Sequence, residues 1–254
     1  MHRGIHRANR RAYTVEDYVA AFGPRLDKNG QPNSRPIVEC VSCSHPMHTV
    51  GETGPLRDAT WAHNPTRPPL WCPLKDNDGG KYALLMPVAP NIAAGAALRA
   101  SFFVNWRLHW AHILEIVPMC DIFTLIGYVR DCDARRFWEQ AGLEEWFIPY
   151  IFLATCDFPP PKSKTGAVVR TEWIRCRFDA RVRTPQDVWI RAAGPWGFTK
   201  ARYRLPARGA QPGPSHLIAV DAVVPDAAFL TRVAPGANVF QVNAMQKAFP
   251  VECP

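Results

Sequence analysis

The sequence predicts an α+β fold, and three stretches carry that reading. Cysteine and histidine gather between Cys40 and Cys72, an apolar helical pattern runs from Asn91 to Val117, and strand-like alternation covers residues 167–183. The first is too polar to build its own core and calls for a metal staple, while the other two supply a helix and a sheet that can pack together. The expected organisation is a basic arm and short helix over 1–35, a small zinc-ribbon-like module over 36–80, and a mixed α/β domain with an Arg-rich sheet face over 81–254. At 254 residues with 47% hydrophobic and 20% charged composition, the chain is long and apolar enough to bury a core.

Taken in order, residues 1–12 read as a flexible basic arm. Thr14 is placed to cap a short helix that stops at Gly23, because its hydroxyl can accept from the first free backbone N–H groups. Ile37–Cys40 reads as a strand leading into the cysteine stretch. The helix over 91–117 rests on Phe102, Phe103, Trp106, Trp110 and Ile113, whose spacings of three and four make one apolar stripe. The apolar runs 121–129 and 146–155 read as buried strands, the second pushed to an edge by Pro149. A helix capped by Asp133 is expected between them. Alternation over 167–183 sets Ile174, Cys176 and Phe178 on one side and Arg175, Arg177, Arg181 and Arg183 on the other. Residues 199–205 repeat it with Lys200, Arg202 and Arg204. A strand from Leu217, a helix after Asp226 and a final helix over 238–249 complete the chain.

Cys40-x2-Cys43 lets two thiolates turn towards one metal within a tight loop, and ligands arriving later close a tetrahedral zinc site. The most economical set is Cys40, Cys43, His63 and Cys72, with His45 and His48 as rivals for the position given to His63. His109, His112 and Glu115 are a second candidate, three apart on one helix; that spacing is also the ordinary polar stripe of an amphipathic helix.

Cys40-x2-Cys43, the step Trp61-Ala62-His63 and Cys72-Pro73 together resemble the N-terminal zinc-binding part of CoiA-like competence proteins, which join such a module to a nuclease-like domain. The resemblance covers the module alone. It implies DNA processing or uptake in a competence or mobile-element setting. The pattern departs where a nuclease of the PD-(D/E)xK kind needs an acidic residue two before a lysine, since none of the seven lysines has one.

Net charge is +8, and residues 170–208 hold ten Lys or Arg against Glu172, Asp179 and Asp187. Arginine gathered on one sheet face, with Trp173 and Tyr203 between, suits phosphate contact and base stacking. The expected function is a zinc-containing nucleic-acid-binding accessory protein, with DNA favoured over RNA. The alternatives are a metal-dependent nuclease related to CoiA-like proteins and a zinc-stapled scaffold for protein partners. Walker A, dinucleotide and Gly-x-Ser-x-Gly fingerprints are absent. Charges near Met1 are not followed by an apolar stretch, and the run Tyr82–Leu98 is broken by Pro87 and Pro90, so a cytoplasmic chain with reduced thiols and no membrane span is expected.

Overall fold

The computed structural model describes residues 3–40, 45–65, 72, 84, 86–87, 89–160, 171–179, 182, 186–190, 196–207 and 211–253. In chain order the elements are β1 (Gly4–His6), β2 (Ala12–Tyr13), α1 (Val15–Phe22), β3 (Val38–Glu39), β4 (Pro46–Val50), β5 (Thr60–His63), α2 (Ile92–Ile116), α3 (Ile122–Ala134), α4 (Ile148–Thr155), β6 (Asp157–Phe158), β7 (Glu172–Phe178), α5 (Asp187–Ile190), β8 (Phe198–Arg204), β9 (Leu217–Val223) and α6 (Val239–Ala248). The fold is a mixed α+β one. Two sheets form, a five-stranded one in the order β2-β1-β3-β4-β5 and a four-stranded one in the order β6-β7-β8-β9. Among the described residues no helix is long and apolar enough to cross a membrane.

The chain divides into two compact units. The first comprises Met1–Asn77, Thr171–Trp173 and Ala201–Asp221, and the second Asp78–Arg170, Ile174–Lys200 and Ala222–Pro254. The first unit keeps residues 1–35 together with the stretch that follows them. The reason is strand pairing: β1 lies antiparallel between β2 and β3, which locks the supposed arm into the sheet. Its arginines hold it there, because Glu39 is 7% exposed and a carboxylate so deep needs partners. Arg7 supplies one at 2.5 Å and Arg10 another at 3.3 Å.

The core of the first unit joins Tyr13, Val15, Tyr18, Val38, Met47 and Trp61 to Tyr203 and Leu217. Thr14 caps α1 by accepting from the Asp17 N–H at 3.0 Å, and Gly23 ends it at φ 80°, where a side chain would be strained. Gly4 is required for a different reason. A Cβ there would meet Val38 Cγ1 at 2.2 Å, so only glycine lets β1 pass the core.

In the second unit α2 starts on the Asn91 cap and buries the predicted stripe, including Phe102, Phe103, Trp106, Trp110 and Ile113. Two expectations fail here. Residues 121–129 are the first turns of α3, capped by Asp121, and 148–155 are α4, not strands. Every side chain of α4 from Ile148 to Ala154 is buried, and a short run that is apolar on all sides shows no period. Pro149 lies in the first helical turn, where its missing N–H costs nothing. Asp133 caps no helix either. It lies inside α3 and accepts from the Arg99 guanidinium at 2.8 and 2.9 Å and from Trp138 Nε1 at 2.7 Å.

Two buried histidines of α2 anchor polar networks. His109, wholly buried, meets Glu145 Oε1 through Nε2 at 2.9 Å; Ser101 Oγ and Asn105 Nδ2 also donate to that carboxylate, at 2.5 and 3.0 Å. His112 stacks on Phe229 and meets Tyr150 Oη at 2.8 Å and Glu115 at 3.1 Å. Burial holds both imidazoles below the ordinary 6.5, against the pull of their carboxylate partners. For Glu145 burial works upwards, but hydrogen bonds from His109, Ser101 and Asn105 outweigh it and leave the carboxyl below 4.5.

These shifts have one sign for stability. The folded imidazoles stay neutral while an unfolded chain takes up protons below pH 6.5, so stability present above that pH is lost as acid is added. The Glu145 contribution, present above pH 4.5, is lost further down as pH falls through its folded value. Melting followed by circular dichroism should give a falling Tm from pH 7 to pH 5, and His109→Gln, which keeps a donor to Glu145 but does not titrate, should flatten part of that fall. His109→Ala should destabilise by on the order of 3 kcal/mol, from the cavity and the carboxylate left short of a donor.

Candidate metal centre

Strand register builds the site. Val38 stands opposite Met47, and Met47 opposite His63, so β3 and β5 reach the same end of the sheet with β4 between them. Beyond that row Cys40 donates its backbone N–H to the His45 carbonyl at 2.9 Å, which carries the pairing of β3 with β4 one bond further. On the other flank the Asn64 N–H donates to the Pro46 carbonyl at 3.0 Å and holds the end of β5 in line. Trp61 is 3% exposed and donates from Nε1 to the Tyr13 carbonyl at 3.1 Å. Two residues further, His63 comes to the sheet end that Cys40 occupies.

Cys72 completes the group from a distant point in the chain. Its Sγ lies 3.7 Å from Cys40 Sγ, and both residues are buried, at 1% and 2% exposure. One ligand atom from each of Cys40, His63 and Cys72 lies within 4.8 Å of the others, a group that could hold a metal ion. Among the described residues no other set of three His, Cys, Asp or Glu side chains is gathered in this way. A tetrahedral ion with metal–sulfur bonds of about 2.3 Å separates its sulfurs by about 3.8 Å, and the observed pair fits that edge. Cys43 lies outside the described residues. Of the rivals, His45 Nε2 is 3.1 Å from the Asn64 carbonyl and His48 Nδ1 is 2.9 Å from Asn64 Oδ1. The His45 ring remains near, its centroid 6.0 Å from that of His63.

The other candidates are arranged differently. His109, His112 and Glu115 do not converge, since the two imidazoles turn to separate partners, Glu145 and Tyr150. Spacing did hold a usable signal there: Ser101, Asn105 and His109 are four apart on α2, and this is the face that meets Glu145. Burial pushes the Cys156 and Cys176 thiols up to about 12, so they stay protonated and make poor ligands or nucleophiles.

The Arg-rich face does not open to solvent as expected. Arg175 and Arg177 are 3% and 4% exposed. Arg175 stands opposite Asp157 in the β6–β7 register and grips it with contacts of 2.5 and 3.0 Å. Arg177 donates to the carbonyls of Ala154 and Cys176. The physical cause is that β7 is buried on both sides from Ile174 onward, so alternation separates two packed faces, not core from water. Arg202 is half-buried and within 3.3 Å of both Glu172 and Asp221; Lys200 is half-buried and Arg204 exposed. Arg181 and Arg183 lie outside the described residues. Tyr203 belongs to the first unit's core and Trp173 packs against it, which leaves neither ring as an open stacking platform.

No family model matches this sequence, and comparison with curated proteins and with solved structures finds no match.

Removing either sulfur should abolish tight metal binding. Elemental analysis of Cys40→Ser and Cys72→Ser should show at least a tenfold fall in bound metal, with faster amide exchange across β3, β4 and β5. His63→Ala should weaken binding less if the His45 ring moves into its place, and His63→Ala with His45→Ala should then empty the site.

Proposed function

We propose that this chain is a zinc-stapled scaffold for protein partners. The observation that supports it most is the buried pair of sulfurs 3.7 Å apart beside His63. Two thiols and an imidazole form a soft, borderline donor set that suits zinc and offers little to magnesium, which takes oxygen ligands. With Cys43 as fourth ligand the cage is closed, and a closed cage contributes folding energy without keeping a position for a reacting water. The same donor set gives no support to a magnesium-dependent nuclease. The resemblance of this stretch to CoiA-like zinc modules agrees with the ligand choice.

Nucleic-acid binding is the second reading, favoured by the net charge of +8 and by exposed Arg3, Arg11 and Arg204. Burial of Arg175 and Arg177 weakens it, because a guanidinium closed off by protein cannot reach a phosphate. One experiment separates the two. Purified protein should carry one zinc per chain, and mobility-shift titrations with duplex DNA and with RNA should show only weak binding. Tight binding whose log K falls with log salt by roughly 0.9 per phosphate contacted, and whose slope shrinks in an Arg202→Ala, Arg204→Ala double variant, would replace the scaffold reading with the nucleic-acid one.

A further inference from the structure

A groove of about 440 Å³ runs between α3 and α6, wholly within the second unit, lined among others by Phe123, Ile126 and Arg130 from α3 and by Phe240, Ala244 and Lys247 from α6. Its two ends differ. At one end Phe123 and Phe240, 54% and 62% exposed, meet edge to face with centroids 5.8 Å apart. Rings so exposed on two neighbouring helices form an apolar surface that water covers poorly. Towards the other end stand Arg130 and Lys247, both exposed, one heptad further along each helix. Arg130 lies over the Phe249 ring, with its guanidinium carbon 6.0 Å from the centroid; among the described residues neither cation has a carboxylate within ion-pair reach.

We propose that this groove seats an amphipathic helix of a partner protein, its apolar side chains on Phe123, Ile126 and Phe240 and its acidic side chains against Arg130 and Lys247. The inference rests on the scaffold reading and names the chemistry of the partner. Length supports it, since the seven helical steps of α3 from Phe123 to Arg130 span about 10.5 Å, two turns of a facing helix. Such a helix presents anchors at i, i+3, i+4 and i+7, the spacing that also places the lining residues of α6. Small-molecule sites enclose most of their ligand, whereas half-exposed rings leave this groove open along one side, as suits a macromolecular surface. A second copy of the chain is a poor occupant, because each carries a net charge of +8 and would bring cations towards cations.

The test uses full-length protein and fluorescence anisotropy with a panel of labelled ~16-residue amphipathic peptides. Each carries Leu and Phe at i, i+3, i+4 and i+7 and Glu one turn beyond, and each has a twin with Lys for Glu. The Glu peptides should bind in the micromolar range and their Lys twins at least tenfold more weakly. Phe123→Ala and Phe240→Ala should each weaken binding several-fold. Lys247→Glu, alone and with Arg130→Glu, should reverse the preference between twins, a swap that partial unfolding would not produce. Absence of binding across the panel, equal binding of both twins, or indifference to the charge reversal would overturn the proposal. So would two other results: stronger capture by vesicles containing phosphatidylserine than by any peptide, which would assign the groove to a membrane surface, or sedimentation showing a dimer that Phe240→Ala dissolves. Zinc content measured on the same samples separates failure of the groove from failure of the metal staple, since none of the substituted residues belongs to the metal group.

Discussion

Two buried sulfurs 3.7 Å apart set the terms for the whole first unit. A pair of thiols at that distance is not a disulfide, and with the imidazole beside it the three side chains form a group that could hold a metal ion. The remainder of the unit reads as the means of bringing those atoms together. A three-strand ladder carries Cys40 and His63 to one end, a hydrogen bond from the Cys40 N–H to the His45 carbonyl fixes the first of them, and the Trp61 ring pins β5 to the core from the other side. The sheet is small, with strands of two to five residues, and short strands gain little from pairing alone. An ion tying the end of β3 to β5 and to Cys72 would supply what the ladder cannot.

Buried and half-buried carboxylates are handled in both units by pairing. Glu39 is satisfied by Arg7 and Arg10, Asp133 by Arg99 and Trp138, Asp157 by Arg175, and Glu145 by three uncharged or neutral donors. Each pair stabilises mainly in the sense that removing one member leaves the other stranded in a poor solvent. This gives the positive charge of the chain a meaning other than attraction to phosphate. A good share of the arginines serve internal carboxylates, and only those left at the surface contribute to an external field.

That distinction shapes the functional reading. A binding face for a polyanion needs several cations that are exposed, close together and free of carboxylates. Arg175 and Arg177 fail the first condition and Arg202 the last. Arg130 and Lys247 are exposed and, among the described residues, have no carboxylate within ion-pair reach, yet they line an apolar groove and make only a pair.

Local signals in the sequence determined the helix cap at Thr14, the long helix with its aromatic stripe, the final helix near Asn238, the strands around 172–178, 198–204 and 217–223, and the candidate ligands Cys40, His63 and Cys72. Caps, periods and metal-ligand spacings act over a few residues, so one sequence can display them. Tertiary structure alone decided that α3 and α4 are helices, because apolar runs with no period take their form from the surfaces that enclose them. It also decided that Gly4–His6 and Ala12–Tyr13 are strands of the sheet and that Arg175 and Arg177 are interior. Alternation along a strand says that two faces differ, but whether the second face meets water or another layer depends on what the rest of the chain lays against it. For β7 it is the segment around Ala154 and Asp157, and nothing within 172–178 announces that neighbour.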